Sequence, residues 1–287
     1  MATLREIKGR IVSITNTRKI TSAMKMVSSS KLHKAQHTLK NTAAYATSLH
    51  RIMHALLSDS EFTSPLSEKR TVRHAVTVVF TSDNALCGAF NANTLRELQK
   101  TLDTHRTENI RTTLCTIGRK AFDFARKTQL HIARNYEKIH PAESYTLLAS
   151  LAEELIEQYE NKEIDRVDLI YHRFGSTSSQ RLVVEPFLPL LPPAPENATT
   201  LPPTDYILEP DRHTLMAALI PQNLKLHLYT ALLHSNASEH ATRMIAMQTA
   251  TDNADELVDE LTVAYNKSRQ QAITSELLDI VGGTVNR

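Results

Sequence analysis

The sequence predicts an α/β protein in which a long antiparallel coiled coil of N- and C-terminal helices carries an inserted, small and mostly parallel α/β domain. Two observations predict this fold class. All eleven prolines lie between Pro65 and Pro221, so roughly 55 residues at one end and 60 at the other contain no helix-breaking ring. The region between them alternates short apolar runs, typical of strands, with amphipathic segments, typical of helices.

The N-terminal helix is predicted over residues 1–58. Thr3 and Glu6 have the spacing of a capping box, in which the two side chains satisfy free amides at a helix start. Apolar residues then recur at three- and four-residue steps, and a less regular stripe continues them, at Leu4, Ile7, Ile11, Ile14, Ile20, Met24, Val27, Leu32, Ala35 and Leu39. A stripe of this kind predicts pairing with a second helix.

The α/β domain is predicted over residues 74–190. Its strands are expected at Ala75–Phe80, Thr112–Ile117, a short segment near His131, Val167–Phe174 and Arg181–Phe187. Its helices are expected at Thr94–His105, with a second capping box from Thr94 to Glu97, at Arg119–Lys127 and at Ser144–Glu160. This order predicts a Rossmann-like sheet that is mostly parallel, with one late antiparallel strand.

A proline-rich loop is predicted over 191–210, and a C-terminal helix that pairs with 1–58 over 211–287. From about Gln222 this helix is uninterrupted up to a stop at Gly282 and Gly283. Its seam is predicted at Met244, Met247, Thr251, Ala254, Val258, Leu261, Tyr265, Ser268 and Ala272, and then at Ile273, Leu277 and Ile280. The alternative, separate helices of a bundle, lacks a third long helix to complete it.

Charge is distributed unevenly along the chain. Residues 1–58 contain ten Lys or Arg and one acidic residue, whereas 222–287 contain five basic and eight acidic residues. The two ends are therefore complementary, and the surplus on the first helix predicts an acidic partner. A nucleic-acid-binding coiled-coil arm is the alternative, but aromatic residues make up only 5% of the chain and Trp is absent, which disfavours base stacking.

The sequence offers no catalytic or metal motif. Its six glycines assemble neither a phosphate-binding loop nor a dinucleotide fingerprint, so an enzyme built on the α/β domain is a third and weaker interpretation. Two histidine pairs, His33 with His37 and His50 with His54, have helical spacing but no third ligand nearby. Cys87 and Cys115 are expected to be reduced, packed thiols. No cofactor, metal, signal peptide or membrane span is predicted.

Several short segments carry a family resemblance. They are Thr17–Val27, Asp83–Gly88, Ser238–Met244, Ala250–Ala254, Tyr265–Lys267 and Arg269–Thr274. In this order they closely resemble the gamma subunit of F-type ATP synthase, over nearly the whole chain. The family usually has Arg-Gly in place of Asn84-Ala85 and a glycine in place of Ala89, which puts the geometry of that turn in question. The stretch from Leu191 to Pro203 looks longer than expected.

The resemblance implies a non-catalytic subunit of a proton-translocating ATP synthase. The coiled coil would be the central stalk inside a ring of three alpha and three beta subunits, and the α/β domain would sit on the membrane c-ring beside epsilon. No nucleic acid is expected as a partner. Because the family pattern begins at residue 3, the expected location is peripheral, on the cytoplasmic side of a bacterial inner (plasma) membrane.

The resemblance also implies roles for individual residues. Coupling and contact with beta are expected of Arg18, Lys19, Met24, Lys25, Arg243, Gln270, Thr274 and Glu276, and contact with the membrane ring of Tyr206 and Glu209. Simpler interpretations remain open for some of them. Met24 could be an ordinary packing residue of the seam. The basic residues could form a solvated face, and Glu209 could mark the end of a loop.

Overall fold

The computed structural model describes residues 4–57, 65–190, 209 and 211–285. Outside this part of the chain lie Thr3 of the first capping box and residues 191–208 of the proline-rich loop, which include Tyr206. The described residues form two compact units. One, here called the helical unit, contains residues 4–30 and 243–285; the other, the α/β unit, contains residues 31–57, 65–190, 209 and 211–242.

The helices and strands follow the predicted order. They are α1 (Leu4–Leu57), β1 (His74–Phe80), α2 (Phe90–Thr107), β2 (Arg111–Ile117), α3 (Arg119–Lys127), β3 (Ile132–Tyr136), α4 (Ser144–Glu160), β4 (Arg166–Phe174), β5 (Gln180–Leu188) and α5 (Arg212–Val285). A short 3₁₀ helix, Pro65–Ser67, precedes β1. Helices α1 and α5 each contribute to both units.

In the helical unit, α1 and α5 pair antiparallel. Arg18 contacts Asp255 and Thr21 contacts Thr251, so residue numbers rise along one helix while they fall along the other. The nine predicted seam positions of α5 from Met244 to Ala272 are all buried or half-buried. This part of the seam is therefore confirmed, as is the antiparallel pairing of the two ends.

The seam of α1 differs from the predicted stripe. The buried and half-buried positions that keep the three- and four-residue rhythm are Leu4, Ile7, Ile11, Ile14, Arg18, Thr21, Lys25 and Ser28, four of which are polar. Ile20 and Val27, predicted as seam members, are 61% and 56% exposed. The prediction followed hydrophobicity, whereas the helical period places these two side chains outside the seam.

Helix α5 lies within the predicted 211–287 but extends beyond both ends of the stretch predicted to be uninterrupted, which ran from about Gln222 to Gly282. Asp211 caps the helix start, because its carboxylate accepts hydrogen bonds from the Thr214 amide (2.9 Å) and hydroxyl (2.7 Å). Pro221 lies inside the helix, where it removes one backbone hydrogen bond, while buried Ile220 and Leu224 on either side anchor the segment in the core. At the other end α5 continues past Gly282 and Gly283, so the predicted stop there is wrong; a helical glycine costs only about 1 kcal/mol.

The sheet has the order β3-β2-β1-β4-β5. The first four strands are parallel and β5 runs antiparallel to β4, which confirms the predicted sheet. Helices α2 and α3 cover one face around a core that includes Val79, Leu98 and Ile170. The opposite face packs against α4 and the first part of α5.

Helix α2 begins four residues before the predicted capping box. Thr94 is fully buried inside the helix, and its hydroxyl donates to the Phe90 carbonyl at 3.0 Å. The helix begins earlier because Asn91 ties its first turn to the end of β1: its side chain accepts from the Ser82 amide and donates to the Ser82 hydroxyl. The second capping box is therefore wrong.

Candidate protein-interaction surface

The helical unit exposes large apolar side chains that its own seam does not cover. They lie on both helices, at Val12, Ile20, Met26, Val27, Ile245, Leu257, Val263, Ile273, Leu277 and Leu278. Val263 and Leu278 are 69% and 66% exposed. A pair of helices has only one seam, so apolar residues out of phase with it face outward, and these side chains are candidates for contact with another protein.

These apolar positions were missed as site residues at the sequence level. Hydrophobicity alone assigns Ile20, Val27, Ile273 and Leu277 to the seam, and no sequence motif marks the others. Their positions relative to the heptad rhythm of the seam could have identified them. Each departs from the strict heptad rhythm that Leu4 to Ser28 and Met244 to Ala272 maintain.

Arg18 is engaged within the chain. Its Nη1 lies 2.6 Å from Asp255 Oδ1, and the two side chains are 40% and 50% exposed. One helical turn away, the Thr21 and Thr251 hydroxyls lie 2.8 Å apart. Part of the excess positive charge of α1, which was predicted to face a partner, is therefore already paired across the seam. Lys19 is exposed and Lys25 is half-buried.

Met24 and Arg243 lie near this polar part of the seam. Met24 is half-buried, whereas Arg243 is buried with 8% of its surface exposed. Continuing the antiparallel register from Thr21 and Thr251 places Arg243 roughly 8 Å along the helix axis from the level of Met24. The two residues therefore belong to one neighbourhood, as a shared role in coupling would require.

Gln270, Thr274 and Glu276 form a second group toward the end of α5. All three are exposed, and the Thr274 hydroxyl donates to the Gln270 carbonyl at 2.9 Å. At about 1.5 Å per residue, Gln270 lies about 40 Å along the helix from Arg243. The structure therefore separates the predicted coupling residues into two groups. Of the predicted membrane-ring residues, Glu209 is exposed and Tyr206 is outside the described residues.

The loop between β1 and α2 is bound to the residues that follow β2 and β3. Asp83 Oδ1 accepts a hydrogen bond from the Arg119 amide, the first residue of α3, and its Oδ2 accepts one from the Lys138 amide, each at 3.1 Å. The Arg119 amide, at the start of α3, is the type of donor that binds phosphate at a helix N-terminus. A carboxylate of this chain occupies it instead.

The same loop accommodates the departures from the family pattern. The residues with left-handed backbone are Leu86, with φ of 65°, and Gly88, with φ of 58°. Ala89 has φ of −84°, and Ala85 is likewise not among the left-handed residues. Alanine is therefore compatible with the backbone at both positions where the family usually has glycine.

Burial shifts the pKa of several titratable groups of the α/β unit. Burial lowers the pKa of His105 and raises that of Asp168, whose Arg166 and His105 neighbours only partly offset the effect. Burial also raises the pKa of the Cys115 thiol to about 12. Cys87 and Cys115 are both free and buried, which confirms them as packed thiols. These features are structural rather than catalytic.

His33 and His37 are exposed on α1, and the side chains of His50 and His54 are outside the description. Among the described residues, no group of three or more His, Cys, Asp or Glu is placed to hold a metal ion. Within residues 4–57, 65–190 and 211–285, no helix combines the length and the apolar character that crossing a membrane requires.

Known relatives match the chain along its entire length. The ATP synthase gamma chain of Phocaeicola vulgatus is 47% identical over 292 residues, which cover 99% of this chain and 100% of the relative. That of Bacteroides fragilis is 47% identical over 291 residues with the same coverage. That of Parabacteroides distasonis is 45% identical over 284 residues, covering 99% and 98%.

Solved structures share the fold. A chain from the Euglena gracilis mitochondrial ATP synthase has a TM-score of 0.66 at 23% identity and covers 99% of this chain and 94% of its own. A chain from the central stalk and c-ring of the Tetrahymena thermophila enzyme has a TM-score of 0.61 at 24% identity, covering 80% and 99%. Residues 3–285 match the family described as ATP synthase. Together with the relatives, this match shows that the chain belongs to the ATP synthase gamma chain family.

Proposed function

We propose that this chain is the central stalk of a proton-translocating ATP synthase, a non-catalytic subunit that couples ion flow through the membrane ring to conformational change at the catalytic beta subunits. The observation that carries the proposal is the identity of 47% to ATP synthase gamma chains over both full lengths. The nucleic-acid-binding alternative has no support in the relatives, and the helical unit also exposes large apolar side chains, such as Val263 and Leu278.

The mechanism rests on asymmetry. A pair of helices presents different side chains in different directions, whereas three beta subunits around it are chemically identical. Each beta subunit then contacts a different part of the helical unit, and only such differential contact can shift the balance among its conformations. Rotation exchanges these contacts and changes the nucleotide affinity of each beta subunit in turn.

The partners are assigned by unit. The helical unit, with its exposed apolar side chains, would contact the alpha and beta subunits, and the α/β unit would contact epsilon and the c-ring. The protein is then a peripheral part of a membrane-bound complex. We place it on the cytoplasmic side of the inner (plasma) membrane, with Tyr206 and Glu209 as the contacts to the ring.

The coupling residues fall into two groups within this scheme. Met24 and Arg243 would act near the polar seam, and Gln270, Thr274 and Glu276 near the far end of α5. Among the three basic residues of α1 predicted to contact beta, Lys19 is the most available to an acidic loop of beta, because Arg18 is paired with Asp255 and Lys25 is half-buried. We therefore expect Lys19 and Lys25 to contribute more charge to the beta contact than Arg18.

Purification of the tagged chain from its native membranes tests this function. We expect a complex with three alpha and three beta subunits that hydrolyses ATP, measured by native mass and by nucleotide turnover. A chain that purifies alone would contradict the proposal. So would a chain that carries nucleic acid with a steeply salt-dependent affinity.

A further inference from the structure

Helix α5 is attached to the sheet of the α/β unit by two kinds of contact. Apolar side chains such as Leu224, Leu228 and Leu232 are buried in the core beneath the sheet. Polar side chains of the same helix form hydrogen bonds with β4 and β5. The two kinds differ in what they restrain, because apolar contacts are non-directional and hydrogen bonds require a particular distance and angle.

Glu185 on β5 is the centre of the polar contacts. Its Oε1 accepts hydrogen bonds from the Tyr171 hydroxyl at 2.7 Å and from His227 Nε2 at 2.8 Å. Its Oε2 accepts one from Arg173 Nη2 at 2.7 Å, and the same nitrogen donates to the Tyr171 hydroxyl at 3.1 Å. One carboxylate therefore joins β4, β5 and α5.

The ionisation of Glu185 suits this position. Burial alone would raise its pKa, but the hydrogen bond and charge of His227, together with Tyr171 and Arg173, outweigh burial and lower the pKa of Glu185. The side chain is thus a carboxylate at neutral pH. Hydrogen bonds to a carboxylate are roughly twice as strong as those between neutral groups.

Two further contacts continue along the same face of α5. The Phe174 amide donates to His234 Nδ1 at 3.2 Å, and the Ser238 hydroxyl donates to the His172 carbonyl at 3.2 Å. Positions 227, 234 and 238 are spaced by seven and four residues, which places them on one side of a helix. The three contacts span about three turns, and a rotation of α5 about its axis would break all of them.

We propose that Glu185, His227, His234 and Ser238 form a polar clamp that fixes the rotational setting of α5 against the sheet, with His227 and Glu185 as positioning residues for coupling. The inference rests on the proposed function, since rotation imposed on the α/β unit has to reach the part of α5 that enters the helical unit. Apolar packing holds the helix to the sheet, and the clamp prevents it from slipping around its axis.

The test uses the whole ATP synthase in membrane vesicles, with His227→Ala, His227→Gln and Glu185→Ala in this chain. Glu157→Ala, which changes an exposed glutamate on α4, is the matched control. Protons pumped per ATP hydrolysed and amide hydrogen exchange of residues 226–238 are measured. We expect His227→Ala and Glu185→Ala to accelerate this exchange roughly tenfold or more and to lower the pumping ratio, while ATP hydrolysis continues.

The conservative variant separates positioning from general stability. Glutamine at 227 retains a side-chain N–H donor, so His227→Gln should keep most of the pumping ratio, as should Glu157→Ala. If Glu185→Ala fails to assemble because it leaves Tyr171 and Arg173 without their partner, His227→Ala decides. An unchanged pumping ratio in His227→Ala would overturn the clamp. A parent enzyme that assembles with this chain but does not pump would instead contradict the proposed function.

Discussion

At the residue scale, the polar seam positions Arg18 and Thr21 on α1, with Asp255 and Thr251 on α5, define the pairing of the helical unit. A half-exposed ion pair contributes less than about 1 kcal/mol, and a polar residue at a seam position fixes register at a cost in stability. The seam therefore specifies the alignment of the two helices more than it strengthens their association. Surrounding subunits would supply the remaining stability.

Met24→Lys tests the coupling role proposed for the neighbourhood of Arg243. A second cation on this half-buried position repels Arg243 or captures a carboxylate of beta, so we expect weaker ATP-driven proton pumping with normal assembly of the complex. Vesicle acidification measures the effect. Met24→Leu, which keeps the volume and the apolar character, should pump like the parent. Unchanged proton pumping in Met24→Lys would mean that Met24 only packs in the seam and has no role in coupling.

Gly118 and Gly9 offer a matched pair of glycine substitutions. Gly118 has φ of 95°, and an added Cβ would lie 2.0 Å from the Thr81 carbonyl oxygen, whereas a Cβ on Gly9 meets nothing within 4 Å. We expect Gly118→Ala to destabilise the α/β unit by ~3 kcal/mol or more and Gly9→Ala to stabilise α1 by ~1 kcal/mol. Chemical unfolding measures both changes in stability. Equal changes in Gly118→Ala and Gly9→Ala would contradict the left-handed backbone conformation of Gly118.

Two buried histidines predict loss of stability in acid. Burial lowers the pKa of His172 to about 4, and burial together with Arg173 lowers that of His234 to about 4. Between pH 6.5 and 4 the unfolded chain binds protons that the folded chain does not, so stability is complete above pH 6.5 and falls as the pH drops toward 4. For His172 the loss is about 3 kcal/mol at most. Urea unfolding across this range should show it, with a smaller slope in His172→Phe.

At the scale of elements, the outward apolar side chains of α5 should carry the association with the catalytic hexamer. Leu257→Ser and Val263→Ser each remove exposed apolar surface, so we expect weaker binding to the hexamer without loss of helix content. Binding to the hexamer and circular dichroism measure the two quantities. Thr262→Ser, also exposed on this stretch, should behave like the parent. Equal hexamer binding by Val263→Ser and Thr262→Ser would argue against an apolar interface here.

The sequence was sufficient to predict the sheet because its strands are continuous apolar runs separated by turns. The helix Ser144–Glu160 was predicted at its observed bounds, and the α5 seam was found because most of its positions are apolar or small. The antiparallel β5 was also predicted, since a short connection after β4 can only reverse the chain. In these elements the apolar residues occur at the positions that the period of the helix or strand buries.

The predictions failed where the buried positions are not apolar or where contacts between distant parts of the chain decide the structure. In α1 the seam continues through Arg18, Thr21 and Ser28, so a search for apolar residues selected Ile20 and Val27 instead. At α2 the capping box matched in sequence, but tertiary contacts of Asn91 start the helix earlier. The Glu185 network was not predicted at all, because its members come from three elements that only the fold brings together.

At the scale of the whole molecule, the chain divides its chemistry between the two units. Exposed apolar side chains concentrate on the helical unit, and buried polar networks on the α/β unit. Neither arrangement serves bond breaking. Both suit a subunit that changes the conformation of its neighbours, and the polar networks keep the parts of the α/β unit in fixed positions while it does so.

Asp83 provides a test of the α/β unit as a whole. Asp83→Ala removes the acceptor from the Arg119 and Lys138 amides, so we expect a loss of ~1 to 3 kcal/mol in stability. Because the freed amides can bind an anion, added phosphate should restore part of this loss in the variant and none in the parent. Thermal unfolding with and without phosphate measures the effect. A parent that phosphate stabilises equally would show that the carboxylate does not block the amides.

The carboxylate of Asp83 also bears on what holds one edge of the sheet in shape. Asp83 follows β1, and the two amides that it accepts from belong to Arg119, after β2, and to Lys138, after β3. One side chain of the chain itself therefore connects the ends of three neighbouring strands. This connection needs no bound ligand, so its geometry does not depend on what the surrounding solution supplies.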